Sequence, residues 1–126
     1  MIRLSAVVIT RNEEVNIARC LESVNFADEI IVIDSYSTDK TREIAEKMSA
    51  RVFTHEWQGF GPAKQKGVAL AGGEWILSID ADEEVPADLA NEIINKIGSS
   101  KGVGAFYLKR KTMFLGRWIL HCGWYP

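Results

Sequence analysis

Two aspartates one residue apart, Asp80 and Asp82, follow the apolar run EWILSI (Glu74–Ile79). Just past a buried strand, a chain that is still extended can turn both carboxylates into one crevice. Hard divalent cations want oxygen ligands, and Mg²⁺ or Mn²⁺ is typically held by one or two carboxylates plus substrate phosphates. The same acids, with Glu83 and Glu84, also suit the first turn of a helix opening near Pro86. Asp34 ends a second apolar run, EIIVID. It either caps a turn through Ser35–Asp39 or accepts hydrogen bonds from a base or ribose. Thr10, Arg11, Asn12 and Glu13 follow a third run, LSAVVIT. On residue type alone, Asn12 and Glu13 read as a helix cap and a first-turn acid.

Buried strands must position these groups. The β-branched run ending at Thr10, then Glu29–Asp34, Arg51–Thr54, Glu74–Ile79 and Gly104–Leu108, read as strands. Helices are expected between them. Glu13–Val24 would turn Val15, Ala18, Leu21 and Val24 inward, with Cys20 in the core. Ser37 or Thr38 would cap Lys40–Met48, with Ile44, Ala45 and Met48 inward. Ala63–Ala71 would end at Gly72-Gly73, and Leu89, Ile93, Ile94 and Ile97 would face inward on a helix after Pro86. Strands alternating with helices imply an α/β fold with a parallel, doubly wound sheet. In such sheets ligands bind beyond the carboxyl ends of the strands, where these polar residues gather.

The composition closes off other classes. The chain has 126 residues, 47% hydrophobic and 25% charged, which fits one globular domain and not a disordered or coiled-coil chain. No apolar run has the ~18 residues of a membrane span, and no signal peptide is read. Cys20 and Cys122 make no disulfide framework, so a reducing, cytoplasmic setting is expected. Residues 1–100 carry 10 basic against 17 acidic side chains, while residues 101–126 carry five basic and none acidic. That tail also holds six of the 12 aromatics. Two surfaces with different partners are therefore expected. Neither phosphate-loop signature follows the first strand, which argues against a dinucleotide oxidoreductase and a P-loop ATPase. Lys64 and Lys66, in GFGPAKQKG, either meet a phosphate or form a solvated helix face. His55 and His121, 66 residues apart, form no zinc pattern.

The segments VVITRNEEVNIARCLESV, EIIVIDSYSTDKTREIA and WILSIDADEEVP together resemble the nucleotide-binding half of the family 2 glycosyltransferases. The ending KRKTMFLGRWILHCGWYP resembles the bacterial lipopolysaccharide-core members of β-glucosyltransferase type. The resemblance implies a GT-A fold, a Rossmann-like, doubly wound, mostly parallel sheet with helices on both faces. It implies that Thr10, Asn12 and Glu13 lie beside the nucleotide and that Asp34 contacts the uracil of a UDP-sugar, with Ser37 and Asp39 completing an S-x-D pattern. It places Asp80 on the ribose and Asp82 on Mg²⁺ or Mn²⁺. Lys64 and Gly67 would lie on a helix lining the pocket.

The activity implied is inverting transfer from a nucleotide-sugar donor, with uracil as the base and glucose as the sugar, to a saccharide or lipid-linked acceptor in lipopolysaccharide or cell-envelope glycan synthesis. Residues 1–108 would form the donor-binding domain, and 109–126 a basic aromatic segment leading to the acceptor side. The acceptor base is expected beyond Pro126, since no carboxylate follows Glu92. The chain is accordingly read as cut short at its C-terminus, weak or inactive alone. Peripheral contact with the inner face of the cytoplasmic membrane is one expectation for the tail; packing against further chain is the other. No nucleic-acid partner is expected. Three rival readings share the carboxylates: a dehalogenase-type phosphohydrolase, a nucleotidyltransferase and a non-catalytic nucleotide-binding module. The first would carry its acids after the first strand, and the second a Gly-rich basic loop there.

Overall fold

The computed structural model describes residues 3–99, 111–114 and 117–120. Four strands, β1 (Leu4–Thr10), β2 (Glu29–Asp34), β3 (Arg51–Thr54) and β4 (Trp75–Asp80), form one all-parallel sheet in the order β3-β2-β1-β4. Helices α1 (Ile17–Ser23), α2 (Thr41–Lys47) and α3 (Phe60–Leu70) connect them, and α4 (Ala87–Ser99) follows β4. The chain winds outward from β1 to β3, then returns across the sheet to place β4 on the other side of β1. The winding direction therefore reverses between β1 and β4, the place where open α/β sheets open a crevice.

All seven residues of the central strand β1 are buried. Its alternate side chains feed two cores. Leu4, Ala6 and Val8 pack with Ile17, Cys20, Leu21 and Val24 of the α1 region, Ala45 of α2, and Ile93 and Ile97 of α4. Val7 and Ile9 pack on the other face with Ile31, Ile33 and Ala63 of α3. Helices on both faces explain why β1 reads as a continuous apolar run rather than an alternating one. On α3, Gly67 lets the helix touch the sheet: a Cβ there would collide with Val7 Cγ1. Alanine would gain about 1 kcal/mol of helix propensity but overpack a core that costs about 1–3 kcal/mol to strain. Since Val7 is itself buried, Gly67→Ala is expected to lower the melting temperature; an unchanged or raised one would contradict so tight a contact.

Several expected details differ. The first helix starts at Ile17, with Asn16 at its N-cap, so Val15 is 87% exposed and Ala18 also faces water. The inward face is Ile17, Cys20, Leu21 and Val24 instead. Asn12 is not the cap: it has a positive φ of 52° and precedes the helix by a turn. Neither Ser37 nor Thr38 caps α2. Its N-cap is Lys40, which makes no side-chain cap bond, and Asp39 just before it accepts from the Thr41 N–H at 2.9 Å. Ile94 is 45% exposed because α4 buries the stripe through Ile93 and Ile97. The tail given no period contains an antiparallel pair, β5 (Lys111–Phe114) with β6 (Arg117–Leu120). The strand expected over 104–108 lies outside the described residues, as does most of the basic aromatic tail.

At the opposite edge of the sheet, Glu29 ties four elements together. Its carboxylate accepts from Ser5 Oγ at 2.6 Å, Gly72 N at 2.9 Å and Arg51 Nη1 at 2.7 Å. The Ser5 hydroxyl and the Gly72 amide, with Arg51 beside them, hold this carboxyl below its ordinary value despite burial. A depressed folded-state value means stability that is present above the ordinary carboxylate range and lost as pH falls through it, below about pH 4. Glu29→Gln is expected to lower stability at neutral pH and to flatten that acid limb. Parallel acid-denaturation curves for the two proteins would rule this out.

Candidate functional site

An open cleft of about 300 Å³ lies at the reversal point between β1 and β4. Its lining is Ile9, Thr10, Arg11 and Glu13 from the end of β1, Asp80, Ala81 and Asp82 from the end of β4, and Trp57 and Phe60 from the approach to α3. Thr10, Glu13, Asp80 and Asp82 were all expected at a ligand site. Arg11 was placed at this edge but given no role, and Trp57 and Phe60 were not singled out.

The β4 end is closely held. Asp80 is the last strand residue, paired with Ile9. The chain then turns instead of staying extended: Glu83 N donates to Asp80 O at 2.9 Å, while Glu83 Oε1 accepts from Asp80 N at 2.8 Å. Ala81 is buried and its N–H reaches Ile9 O at 3.1 Å. This turn presents Asp82 to solvent beside half-buried Asp80. Beneath it, Cys20 Sγ donates to Asp80 O at 3.6 Å. Burial, with the Glu83, Asp82 and Asp80 carboxylates nearby, pushes this thiol up to about 12, so it stays a neutral core group.

Among the described residues, neither the Asp80 nor the Asp82 carboxylate accepts a hydrogen bond or joins an ion pair. No three His, Cys, Asp or Glu side chains among those residues form a metal cage. Two free carboxylates fit a hard cation that completes its shell with water and phosphate oxygens. They do not fit a structural zinc site, which needs four ligands. The Thr10 hydroxyl supports a polar ligand independently. Thr10 is 3% exposed and its Oγ1 has no hydrogen-bond partner. A buried polar atom left unpaired costs about 1–3 kcal/mol.

The remaining expected residues lie outside the cleft lining, most of them in the loops after β1 and β2. Asp34 is fully buried, at 0% exposure; Oδ2 accepts from Ser37 N at 2.9 Å and Oδ1 from Ser37 Oγ at 2.5 Å. Ser37 Oγ in turn accepts from Asn12 N at 2.8 Å, and Asn12 Oδ1 accepts from Thr38 N at 2.8 Å. A second strap runs through Asp39, whose Oδ2 accepts from Glu14 N at 3.2 Å, and through Thr41 Oγ1, which accepts from Glu13 N at 2.9 Å. Burial opposes ionisation of Asp39, but the bonds from Thr41 and Glu14 outweigh it and hold its carboxyl below the ordinary value. Asn12, Asp34, Ser37 and Asp39 thus lash the loop after β1 to the loop after β2, and none lines the cleft. Lys64 does not line it either. Gly67, expected on a pocket wall, packs against Val7 and Ile33 instead.

The sequence profile of glycosyl transferase family 2 matches residues 5–122. The chain belongs to this family. As a family 2 glycosyltransferase it has the GT-A fold. It is similar to the crystal structure of glucosyl-3-phosphoglycerate synthase from Mycobacterium tuberculosis, with a TM-score of 0.69 and 28% identity, over 81% of this chain and 42% of that one. That enzyme was captured with Mn²⁺, UDP and glucosyl-3-phosphoglycerate. An uncharacterized glycosyltransferase from Rickettsia felis is 47% identical over 94 residues, 74% of this chain and 33% of its own length. The lipopolysaccharide core biosynthesis glycosyltransferase LpsC of Rhizobium meliloti is 28% identical over 118 residues, 90% of this chain and 44% of its own. The chain spans about a third of the length of the Rickettsia relatives it matches.

Proposed function

We propose that this chain is the donor-binding part of an inverting, metal-dependent glycosyltransferase that uses a UDP-sugar, with glucose as the sugar. The observation that carries the reading is the shared cleft: two unengaged carboxylates, Asp80 and Asp82, line it together with Thr10, whose buried hydroxyl has no partner, at the winding reversal. In this reading Asp80 meets the ribose and Asp82 holds Mg²⁺ or Mn²⁺. Bound there with the diphosphate, the cation would neutralise charge on the departing nucleotide. Arg11 lines the same cleft and has no ion-pair or hydrogen-bond partner among the described residues. A guanidinium placed so suits a diphosphate oxygen. Thr10 Oγ1 supplies a buried polar contact. Asp34, Asn12, Ser37 and Asp39 hold the loops that carry Thr10 through Glu13; each Asp34 oxygen keeps a lone pair beside its bond from Ser37, but Asp34 is fully buried and would reach a uracil only where the loop over it opens.

The acceptor proposed is a saccharide or lipid-linked glycan of the cell envelope. The likeness to LpsC and the basic, aromatic tail support it. A cytoplasmic protein touching the membrane from inside agrees with this acceptor. No helix among the described residues is long and apolar enough to cross a membrane.

Calorimetric titration with UDP, in Mn²⁺ and then in excess EDTA, tests the donor assignment. Binding is expected in Mn²⁺, weaker in EDTA, and weaker again for ADP and GDP. A folded chain that binds none of them in either condition would remove the reading.

A further inference from the structure

Asp80 and Glu83 have the spacing of a capping box, in which the first side chain accepts from the fourth residue's N–H and the fourth side chain reaches back to the first residue's N–H. Only the second half of that exchange forms here. Glu83 Oε1 accepts from Asp80 N at 2.8 Å, while the Glu83 N–H goes to the Asp80 carbonyl at 2.9 Å and not to its carboxylate. No helix follows at once, since α4 begins at Ala87. The Asp80 carboxylate is thus spared for the cleft it lines. The direction of the Asp80 N–H shows where Glu83 sits. Trp75 N donates to Arg3 O and Ala81 N to Ile9 O, both on the β1 side. Successive N–H groups of a strand point to opposite sides. Asp80 N therefore points to the outer edge of β4, which pairs with no strand among the described residues. Glu83 folds onto that edge and takes its last donor. Farther along, Val85 N donates to Ser23 Oγ at 2.9 Å, and that hydroxyl donates to Cys20 O at 2.7 Å on α1. Residues 80–85 are pinned to β1, to the outer edge and to α1, with Asp82 exposed between the anchors.

Resting on the donor reading above, we propose that Glu83 is a positioning residue for the cation: it does not ligate, and its clasp on the Asp80 amide holds Asp80 and Asp82 in the arrangement that the metal and the ribose require. Three of the four residues 80–83 are acids, and like charges so close repel one another. The clasp spends one of them on a backbone amide, outside the cleft lining, and leaves the other two to the ligand. A carboxylate accepting from an amide makes a strong, charge-assisted bond, so the turn is rigid before any cation arrives. Without it the turn keeps only its backbone bond, and an arriving cation must order Asp82 against conformational entropy. Reach decides this role, and charge does not: what is needed is an oxygen three residues on, at the end of a side chain of glutamate's length.

The test measures UDP binding in Mn²⁺ and in EDTA for wild type, Glu83→Ala, Glu83→Gln and Glu83→Asp, and reads the ratio of the two affinities. Glutamine keeps the reach and the oxygen but loses the charge. Aspartate keeps the charge but withdraws its oxygens by one methylene. Groups that orient a metal ligand carry about 10–100-fold in metal affinity, so Glu83→Ala and Glu83→Asp should each cut the gain from Mn²⁺ about tenfold or more. Glu83→Gln should keep most of that gain. UDP affinity in EDTA should stay near wild type in all three variants. Should Glu83→Ala fail to fold, the glutamine and aspartate variants decide alone. An undiminished gain from Mn²⁺ in Glu83→Ala or Glu83→Asp would overturn the proposal, because the turn would then hold its shape unaided. A Glu83→Gln as impaired as Glu83→Ala would overturn it too, by making charge or direct ligation the property that counts. Equal losses in Mn²⁺ and in EDTA would overturn it in favour of a general role in folding. In each of these cases a wild type that binds UDP better in Mn²⁺ leaves the donor reading standing. A wild type that binds no nucleotide brings down the donor reading, and this proposal falls with it.

Discussion

Asp34→Ala is expected to cost about 3–6 kcal/mol of stability, because a hydrogen bond to a charged group contributes about 1.5–3 kcal/mol and two are lost here. The carboxylate is fully buried and accepts from both the amide and the hydroxyl of Ser37. Alanine leaves those donors facing a cavity that water must enter or leave empty. The damage should spread, since Ser37 Oγ is also the acceptor for Asn12 N. Loss of that bond frees Arg11 and Asn12, so UDP affinity should fall with stability. Asp34→Asn separates charge from shape. Its Oδ1 can keep the Ser37 amide, and its Nδ2 can donate to Ser37 Oγ once that hydroxyl turns its proton away. It should cost far less than alanine. Chemical denaturation of the two variants provides the check; alanine and asparagine within about 1 kcal/mol of wild type would mean that the strap holds nothing.

Why the sequence shows Asp34 as important yet leaves its task open is a matter of what residue type encodes. An acid closing an apolar run is visible as such. Whether its oxygens meet a ligand or the next turn depends on where the chain goes over the following three residues. Asn12 poses the same difficulty. The short amide side chain that caps helices also tolerates the left-handed region, and here it serves the second use. The four strands of the main sheet were legible to within a residue; β1 and β2 stand out because burial on both faces demands unbroken apolar runs, while the half-exposed edge strand β3 shows only as a short β-branched and aromatic stretch. The start of α1 was not, since Val15 and Ala18 keep a helical spacing with Leu21 while belonging to the exposed side. Only the packing of Ile17 under β1 sets the phase.

The cleft shows a similar division. Thr10, Glu13, Asp80 and Asp82 sit immediately beyond strand ends, so the strand pattern alone brings them together. Trp57 comes from a loop with no period and Phe60 from the first position of α3, in a stretch that reads as loop, and nothing local says that they meet the other strand ends. A signal was present nonetheless: two large aromatics in a stretch rich in Gly and Pro, where burial is unlikely to absorb them. The β5–β6 pair was missed because four-residue strands are too short to reveal a period, although Gly116 between two short runs is a hairpin cue.

Asp82→Ala should change the sign of an effect, which no general loss of folding can do. In Mn²⁺ the variant is expected to bind UDP about a hundredfold more weakly or worse, since even partners behind a metal ligand carry about 10–100-fold. In EDTA the expectation reverses. Asp82 is then an uncompensated exposed carboxylate facing a diphosphate of like charge, and its removal relieves that repulsion. The gain should be a few-fold at low ionic strength and should shrink as salt shortens the screening length to about 10 Å at 0.1 M. Glu84→Ala removes the same charge two residues later. Glu84 lies outside the cleft lining and, among the described residues, forms only an exposed contact with Arg19 at 4.0 Å. That variant should leave the Mn²⁺-dependent affinity near wild type, because exposed ion pairs contribute little and the lost charge does not touch the cation. A uniform loss for Asp82→Ala in both conditions would mean that the residue supports the turn rather than the metal. Equal losses for Asp82→Ala and Glu84→Ala would mean that net charge, and not one ligand, governs the cleft.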